Sequence, residues 1–337
     1  MIDSRKIVIH RLGESFRECT RIEHEALTPP AAGEVLIRHT LAGVNGVYDQ
    51  MMCANRVQHV PVTPPADAGV EAAGRVVAVG AGVTAVGEGD PVVTVGAGGG
   101  YREYKLCAAE QAIRVPSDSA EVLALIPSGV SAYLALHVTG ELRSADVVCI
   151  TAAVGGLGNI AVQLAVLEGH HVIAVCGNAD KAQWLRDVGV ARVVNYRKES
   201  LAEVLEREYP ERIDLALDSV GGETFDALLA TLAPLGRLVV AGATCDRLPP
   251  ETVLQERAYN RLYWKGASIR GFMNWRLAEH HAAARAALLE MLAAGRLKPL
   301  IDPTVFAGLA SVADAVDHLL AGNNVGKVMV RLADAVS

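Results

Sequence analysis

The chain has 337 residues, 51% hydrophobic, 20% charged and only 4% aromatic, which excludes wholesale disorder. At this length about two domains are expected. Lys plus Arg total 31 against 38 Asp plus Glu, a net charge of −7 without any basic run, which argues against nucleic-acid or anionic-membrane partners.

The first part, to about residue 122, reads as mostly β. Short β-branched runs at Lys6–His10, Glu34–Leu41, Gly74–Val79, Pro91–Val95 and Ile113–Val115 are separated by glycine and proline, with turns at Gly80-Ala81-Gly82 and Gly98-Gly99-Gly100. Any small β-barrel or sandwich satisfies this pattern. From Leu123 the character changes. Strands are predicted at Val147–Thr151, Val172–Val175, Val193–Asn195, Leu215–Asp218, Leu238–Ala241 and Ser268–Gly271. Amphipathic helices are predicted between them, over Leu157–Ala165, Lys181–Val188, Leu201–Glu208 and Glu223–Leu232. Apolar strands alternating with helices imply a parallel sheet covered on both faces. A long helix over Leu277–Ala294 and a strand-like run at Lys327–Leu332 follow. The uncharged stretch Val147–Leu167 has the length of a membrane span. Its glycines and its change of period read instead as strand, turn and helix.

That turn is the most informative segment. Ala152-x-x-Gly155-x-x-Gly158 joins a buried strand to a helix, where glycines permit a tight turn and let a pyrophosphate approach the backbone. The free N–H groups of the helix start then bind phosphate. An NAD site usually ends the next strand with Asp or Glu. Here the tip is Val175-Cys176-Gly177-Asn178; Asp180 reads as the N-cap of the following helix, with Lys181 after it and Tyr196 ending the third strand. A cation and a phenol beside an uncharged tip suit a 2′-phosphate, so NADPH is favoured over NADH. A solvated helix lysine is the plainer reading of Lys181.

The six cysteines, Cys19, Cys53, Cys107, Cys149, Cys176 and Cys245, are scattered, with no CxxC or zinc-knuckle spacing. A reducing compartment is the better reading. Met1–Lys6 lacks a signal-peptide apolar core, so the cytoplasm is expected.

Ala42-Gly43-Val44-Asn45, Val70-Glu71-Ala72-Ala73-Gly74-Arg75-Val76-Val77, Gly89-Asp90-Pro91-Val92, Gly129-Val130-Ser131-Ala132-Tyr133, the Thr151–Gly158 turn, Asn195-Tyr196, Asp218-Ser219-Val220-Gly221-Gly222 and Asn324-Val325-Gly326-Lys327-Val328 run along nearly the whole chain. Together they resemble the zinc-independent quinone oxidoreductase branch of the medium-chain dehydrogenase/reductase superfamily. Lys265–Phe272, leading into a long helix, is most similar to its prostaglandin reductase 3-like subgroup. The resemblance implies an α/β fold, a doubly wound Rossmann sheet inserted into a GroES-like β-barrel catalytic domain. The corresponding divisions are 1–122, 123–273 and a return over 274–337. It implies NADPH in an interdomain cleft and a homodimer. By position, Ser131, Ala153, Val154, Gly155, Gly156, Leu157, Gly177, Asn178, Lys181, Tyr196, Ser219, Gly242, Phe272, Met273, Asn324 and Lys327 would line the cofactor.

Zinc-dependent relatives need a Cys after the Ala-Gly-Val segment and a His before the Glu of the next strand; Asn45 and Val70 stand there. The four-cysteine lobe is missing, and the adjacent pairs His170/His171 and His280/His281 offer poor chelating geometry, since helix neighbours point about 100° apart. No catalytic metal is expected. An activated C=C then becomes the easier hydride acceptor, because its carbonyl delocalises the charge as an enolate that hydrogen bonds stabilise. The expected activity is NADPH-dependent reduction of an enone or quinone. Enoyl-thioester or polyketide enoyl reduction, a non-redox biosynthetic homologue and a binding or regulatory protein remain open.

Asn45 is the polar candidate at the nicotinamide end; a turn Asn capping a backbone group is the alternative. The family's aspartate three residues after the Asn is replaced by Tyr48, with Asp49 next. Tyr48 is a candidate donor to the substrate oxygen, or packing. Arg56 reads as solvated, with holding an acidic substrate as its alternative, and Tyr259, Tyr263 and Trp264 as core packing, with capping of the pocket as theirs.

Overall fold

The computed structural model describes residues 1–245 and 258–332. Of these, residues 1–127 and 301–332 form one compact unit and residues 128–245 and 258–300 another.

The first unit runs β1 (Ile2–Ile9), α1 (Phe16–Cys19), β2 (Thr20–Leu27), β3 (Glu34–Gly43), α2 (Gly46–Cys53), β4 (Ala66–Asp67), β5 (Glu71–Val79), β6 (Pro91–Val95), β7 (Tyr104–Ala108), β8 (Ile113–Arg114) and α3 (Ala120–Ala124). β2, β1 and β4 make a small antiparallel sheet. β3 and β5 are the centre of the larger one, and β7 also pairs with β3. Val35, Ile37, Val76 and Val92 fill one part of its core, while Phe16, Met52, Tyr101, Val316 and Val330 gather in another. Two predicted β-branched runs, Glu34–Leu41 and Pro91–Val95, lie in this sheet as read. β2, with its charged sequence, and β7, only five residues long, were not foreseen.

The second unit runs α4 (Val130–Leu134), β9 (Val147–Ile150), α5 (Gly158–Leu167), β10 (His171–Cys176), α6 (Ala179–Val188), β11 (Arg192–Asn195), α7 (Leu201–Glu208), β12 (Ile213–Asp218), α8 (Gly222–Thr231), β13 (Leu232–Val240), α9 (Tyr259–Tyr263), β14 (Ser268–Gly271) and α10 (His281–Ala293). Its parallel sheet has the order β11-β10-β9-β12-β13-β14, so the strand order reverses between β9 and β12. Crevices outside the carboxyl ends of strands at such a reversal are where this architecture binds ligands.

The chain returns to the first unit with β15 (Phe306–Ala307), α11 (Val312–Leu320) and β16 (Met329–Arg331), and β16 pairs with β3. The crossings fall at 127/128 and 300/301, not at the 122/123 and 273/274 read from the sequence. The reason for the later return is local. α10 buries Ala284 and Leu288, and the backbone beyond it is tied to α5: Gln163 bonds both the N–H and the C=O of Lys298, and Asn159 Oδ1 accepts from Leu300 N–H.

The uncharged stretch Val147–Leu167 is β9, a turn and α5, as read. Ala120–Thr139 is the one described helical run long and apolar enough to cross a membrane, and 61% of its most apolar window is buried within the protein, as in core helices of folded domains.

Candidate active site

In the second unit the predicted residues collect at the carboxyl ends of the parallel strands. Ala153 and Val154 follow β9, Gly177 and Asn178 follow β10, Tyr196 follows β11, Ser219 follows β12, Gly242 follows β13, and Phe272 and Met273 follow β14. Short bonds stitch these ends together. Ala153 N–H donates to Val175 C=O at 3.1 Å, and Thr151 Oγ1 donates to Asp218 Oδ1 at 2.7 Å across the reversal of strand order. Asp218 also accepts from the N–H groups of Val220 and Gly221. Ser219 C=O accepts from Thr244 N–H, which brings the loop after β13 with Gly242 beside the end of β12.

The glycine turn is tight for a steric reason. A Cβ at Gly158 would lie 2.3 Å from Ala152 C=O, so only glycine lets α5 start this close to β9. Ala152, where the fingerprint has its first glycine, sits at φ 45°, a left-handed conformation that costs an alanine strain. Asn159 was missed in the sequence reading. Its Nδ2 donates to Gly155 C=O at 2.7 Å and Gly156 C=O at 3.0 Å, holding both carbonyls inward. Among the described residues, none accepts a hydrogen bond from the N–H groups of Gly156 and Leu157. Free backbone donors at a helix start are an anion site.

At the second strand's tip the cap assignment is corrected. Asn178, not Asp180, is the N-cap of α6, its Oδ1 accepting from Lys181 N–H at 2.8 Å, and Asp180 lies in the first turn. Tyr196 is 56% exposed and lies over Gly177, whose Cβ would be 2.7 Å from the phenol oxygen. Ser131 Oγ accepts a hydrogen bond from Asn274 Nδ2, next to Met273.

The first unit holds a second constellation, built on the link from β3 to α2. Asn45 occupies the N-cap position of α2, yet its side chain makes no capping bond, which overturns the reading of it as a turn Asn. Instead its Oδ1 accepts from Lys327 Nζ at 2.9 Å, and its Nδ2 is buried with no partner. Lys327 Nζ also donates to Val44 C=O at 3.1 Å and lies 2.6 Å from Glu71 Oε1. Both side chains are almost fully buried, Lys327 at 3% and Glu71 at 1% exposure. Room for Glu71 comes from Gly43, where a Cβ would fall 2.0 Å from Oε1.

Beside this pair, Asp49 accepts from Tyr101 Oη at 2.6 Å and from Asn45 N–H at 3.1 Å. Burial pushes its carboxyl up to about 6, against the opposing pull of those bonds and of Lys327. Tyr48, one residue before it on α2, is half-buried; burial and Asp49 push its phenol above the ordinary value. Tyr48, Asp49, Met52 and Val70 line a cavity of about 10 Å³, the room of one water molecule. Met52 and Gly98 also line a larger depression of about 410 Å³ walled by Val60, Pro61, Val62 and Pro65.

Three further readings change. Arg56 is not simply solvated but pairs with Glu14. Tyr263 and Trp264 are 76% and 83% exposed and Tyr259 is exposed as well, so they are not core packing. His170 and His171 stand at a loop–strand junction, not on a helix; one faces Asp146 C=O at 3.2 Å and the other Tyr209 Oη at 3.0 Å. Asn324, the other expected cofactor residue of the first unit besides Lys327, donates to Gly326 C=O.

Comparison with known proteins gives the same two parts. The alcohol dehydrogenase GroES-like domain matches residues 31–117 and the zinc-binding dehydrogenase domain residues 156–290. Prostaglandin reductase-3 of Mus musculus is 37% identical over 99% of this chain and 90% of its own length. A probable quinone oxidoreductase of Leishmania amazonensis is 37% identical over 97% of this chain and 98% of its own. The structure of Escherichia coli quinone oxidoreductase complexed with NADPH aligns with a TM-score of 0.84 at 26% identity, covering 97% of this chain and 99% of that one. The residues present do not fit the zinc that one domain name carries. Val70 has no donor atom, Asn45 Oδ1 is taken by an ammonium, and the described residues hold no group of three or more His, Cys, Asp or Glu placed to share an ion.

Proposed function

The chain belongs to the medium-chain dehydrogenase/reductase superfamily, and from that premise we propose that Asn45 Nδ2 and Tyr48 Oη receive the oxygen of the substrate. The protein is an NADPH-dependent reductase of an activated C=C bond or a quinone. NADPH, when bound, supplies the hydride. The glycine turn supported by Asn159 offers N–H donors for its pyrophosphate, and Asn178, Lys181 and Tyr196 present an uncharged tip, a cation and a phenol to a 2′-phosphate. Hydride delivered to the β-carbon leaves negative charge on the carbonyl oxygen, and a preorganised donor aimed there lowers the barrier.

The observation that carries this reading is the buried, unpartnered Nδ2 of Asn45. A donor without a protein partner in a buried position is costly unless a ligand takes it. Tyr48, kept protonated by its surroundings, has a proton to give the enolate product. The test follows NADPH oxidation with a series of simple enones and quinones. Asn45→Ala is expected to lower kcat about 100-fold, the usual cost of one oxyanion donor, with NADPH affinity held. An unchanged kcat would remove Asn45 from the chemistry.

For the assembly, a homodimer is the reading we favour. β14 is an edge strand of the parallel sheet, and Ile269 on it, with Tyr263 and Trp264 just before it, is exposed. Unpaired edges of this kind favour pairing with a second copy.

A further inference from the structure

We propose that Lys327 is a positioning residue for Asn45, fixing which end of its amide faces the substrate, and not a cofactor contact. The inference rests on the reading of Asn45 as the donor to the substrate oxygen.

An asparagine amide has nearly the same shape either way round, but one end accepts and the other donates. Only its partners decide which end points where. An ammonium carries three donors and no acceptor, so the atom of Asn45 facing Lys327 must be the oxygen. The amino group is then turned away from Lys327, into the buried position where it has no protein partner. Two donors of Lys327 are taken within the unit by Val44 C=O and Asn45 Oδ1, and Glu71 Oε1 lies 2.6 Å from Nζ as its ion-pair partner.

Glu71 makes this arrangement hold. Neither of its carboxylate oxygens has a hydrogen bond of good geometry, so the ammonium is the compensation for its buried charge. Gly43, with no side chain, leaves the carboxylate its place against β3. The pair thus keeps the ammonium at one location, and the ammonium keeps the amide in one orientation.

Removing Lys327 alone would strand Glu71, so the experiment uses paired substitutions, which replace a buried ion pair without leaving a lone charge. Lys327→Met/Glu71→Leu removes every donor facing Asn45 Oδ1. Lys327→Gln/Glu71→Gln removes both charges but retains an N–H at position 327. Each is made in the parent and in an Asn45→Ala background. Turnover of a simple enone is followed by NADPH oxidation, and NADPH affinity by tryptophan fluorescence. The apolar pair is expected to lower kcat about 10-fold or more in the parent and by less than about 3-fold once Asn45 is Ala, since groups acting as one unit are not additive. The glutamine pair is expected to recover most of kcat. NADPH affinity should stay within about two-fold throughout. Weakened NADPH binding with kcat retained would make Lys327 a cofactor contact and overturn the proposal. Equal losses in both backgrounds, or equal losses for both pairs, would make the role merely structural and also overturn it. Full activity of Asn45→Ala alone would instead sink the reading of Asn45 itself, a separate arm of the same experiment.

Discussion

Asp49 is a residue whose charge the fold handles uncomfortably. Its carboxylate lies among Tyr101, Tyr48, the Asn45 N–H, Glu71 and Lys327, and burial pushes its carboxyl up to about 6 from its ordinary 3.8. Desolvation is the leading cause, and it outweighs the hydrogen bonds and the ammonium. Below pH 3.8 the carboxyl is protonated in both folded and unfolded chains, and folding carries no charge penalty there. Between 3.8 and 6 the unfolded chain loses its proton first, so stability falls as pH rises; above 6 the full cost remains, about 3 kcal/mol at most. Asp49→Asn keeps an acceptor for Tyr101 and Asn45 and removes the charge. Its weaker, neutral hydrogen bond offsets part of the gain, leaving about 1–2 kcal/mol of added stability at pH 8. The check is a set of urea midpoints for parent and variant from pH 4.5 to 8. The difference should grow with pH, and a constant difference would mean that the carboxylate is not strained by its site.

At the scale of elements, the start of α6 tests the cofactor assignment most cleanly. Gly177→Asp would place a carboxylate there too, but its Cβ would first push the Tyr196 ring aside. Asn178→Asp has no such confusion, because aspartate caps a helix as well as asparagine does and α6 keeps its start. The added charge sits where the uncharged tip is proposed to meet a 2′-phosphate. NADPH affinity should fall about 10-fold while NADH affinity holds or improves, since an acidic residue at this strand end suits ribose hydroxyls. Titration of both cofactors by fluorescence decides it, and an unchanged NADPH-to-NADH ratio would displace the 2′-phosphate from this loop. The elements around this loop were legible because each has a local signature: Leu201–Glu208 and Ser268–Gly271 were read to the residue, and glycine spacing located the turn. β2 was not legible, since it lies at the edge of a small sheet, carries Arg21, Glu23 and Glu25, and no apolar period marks it. Asn159 was hidden for a different reason, that nothing in its own neighbourhood announces carbonyls folded back toward it.

The whole molecule shows the same division between local and distant information. The change from β-rich to alternating sequence marked two units, and the strand-like run at Lys327–Leu332 was read, but the return point at 300/301 depends on how the backbone at Lys298 fastens to α5. The Asn45–Lys327 bond joins positions 282 residues apart, a closeness that no spacing rule reports. Assembly is a property of the same kind, decided by which surface the finished fold leaves open. β14 closes one side of the parallel sheet, and among the described residues no strand pairs with its outer edge. Exposed apolar side chains cluster in sequence just before and along it, Tyr263, Trp264 and Ile269. If two copies meet at this edge, a charge placed on it should separate them, because burying an unpaired lysine in an interface carries a heavy desolvation cost. Ile269→Lys lies on a partly exposed position and should leave the monomer folded. Sedimentation velocity at micromolar concentration is expected to give a dimer for the parent and a monomer for the variant, with unchanged far-UV circular dichroism. A parent that sediments as a monomer would refute the dimer outright, and a variant that stays dimeric would move the interface away from β14.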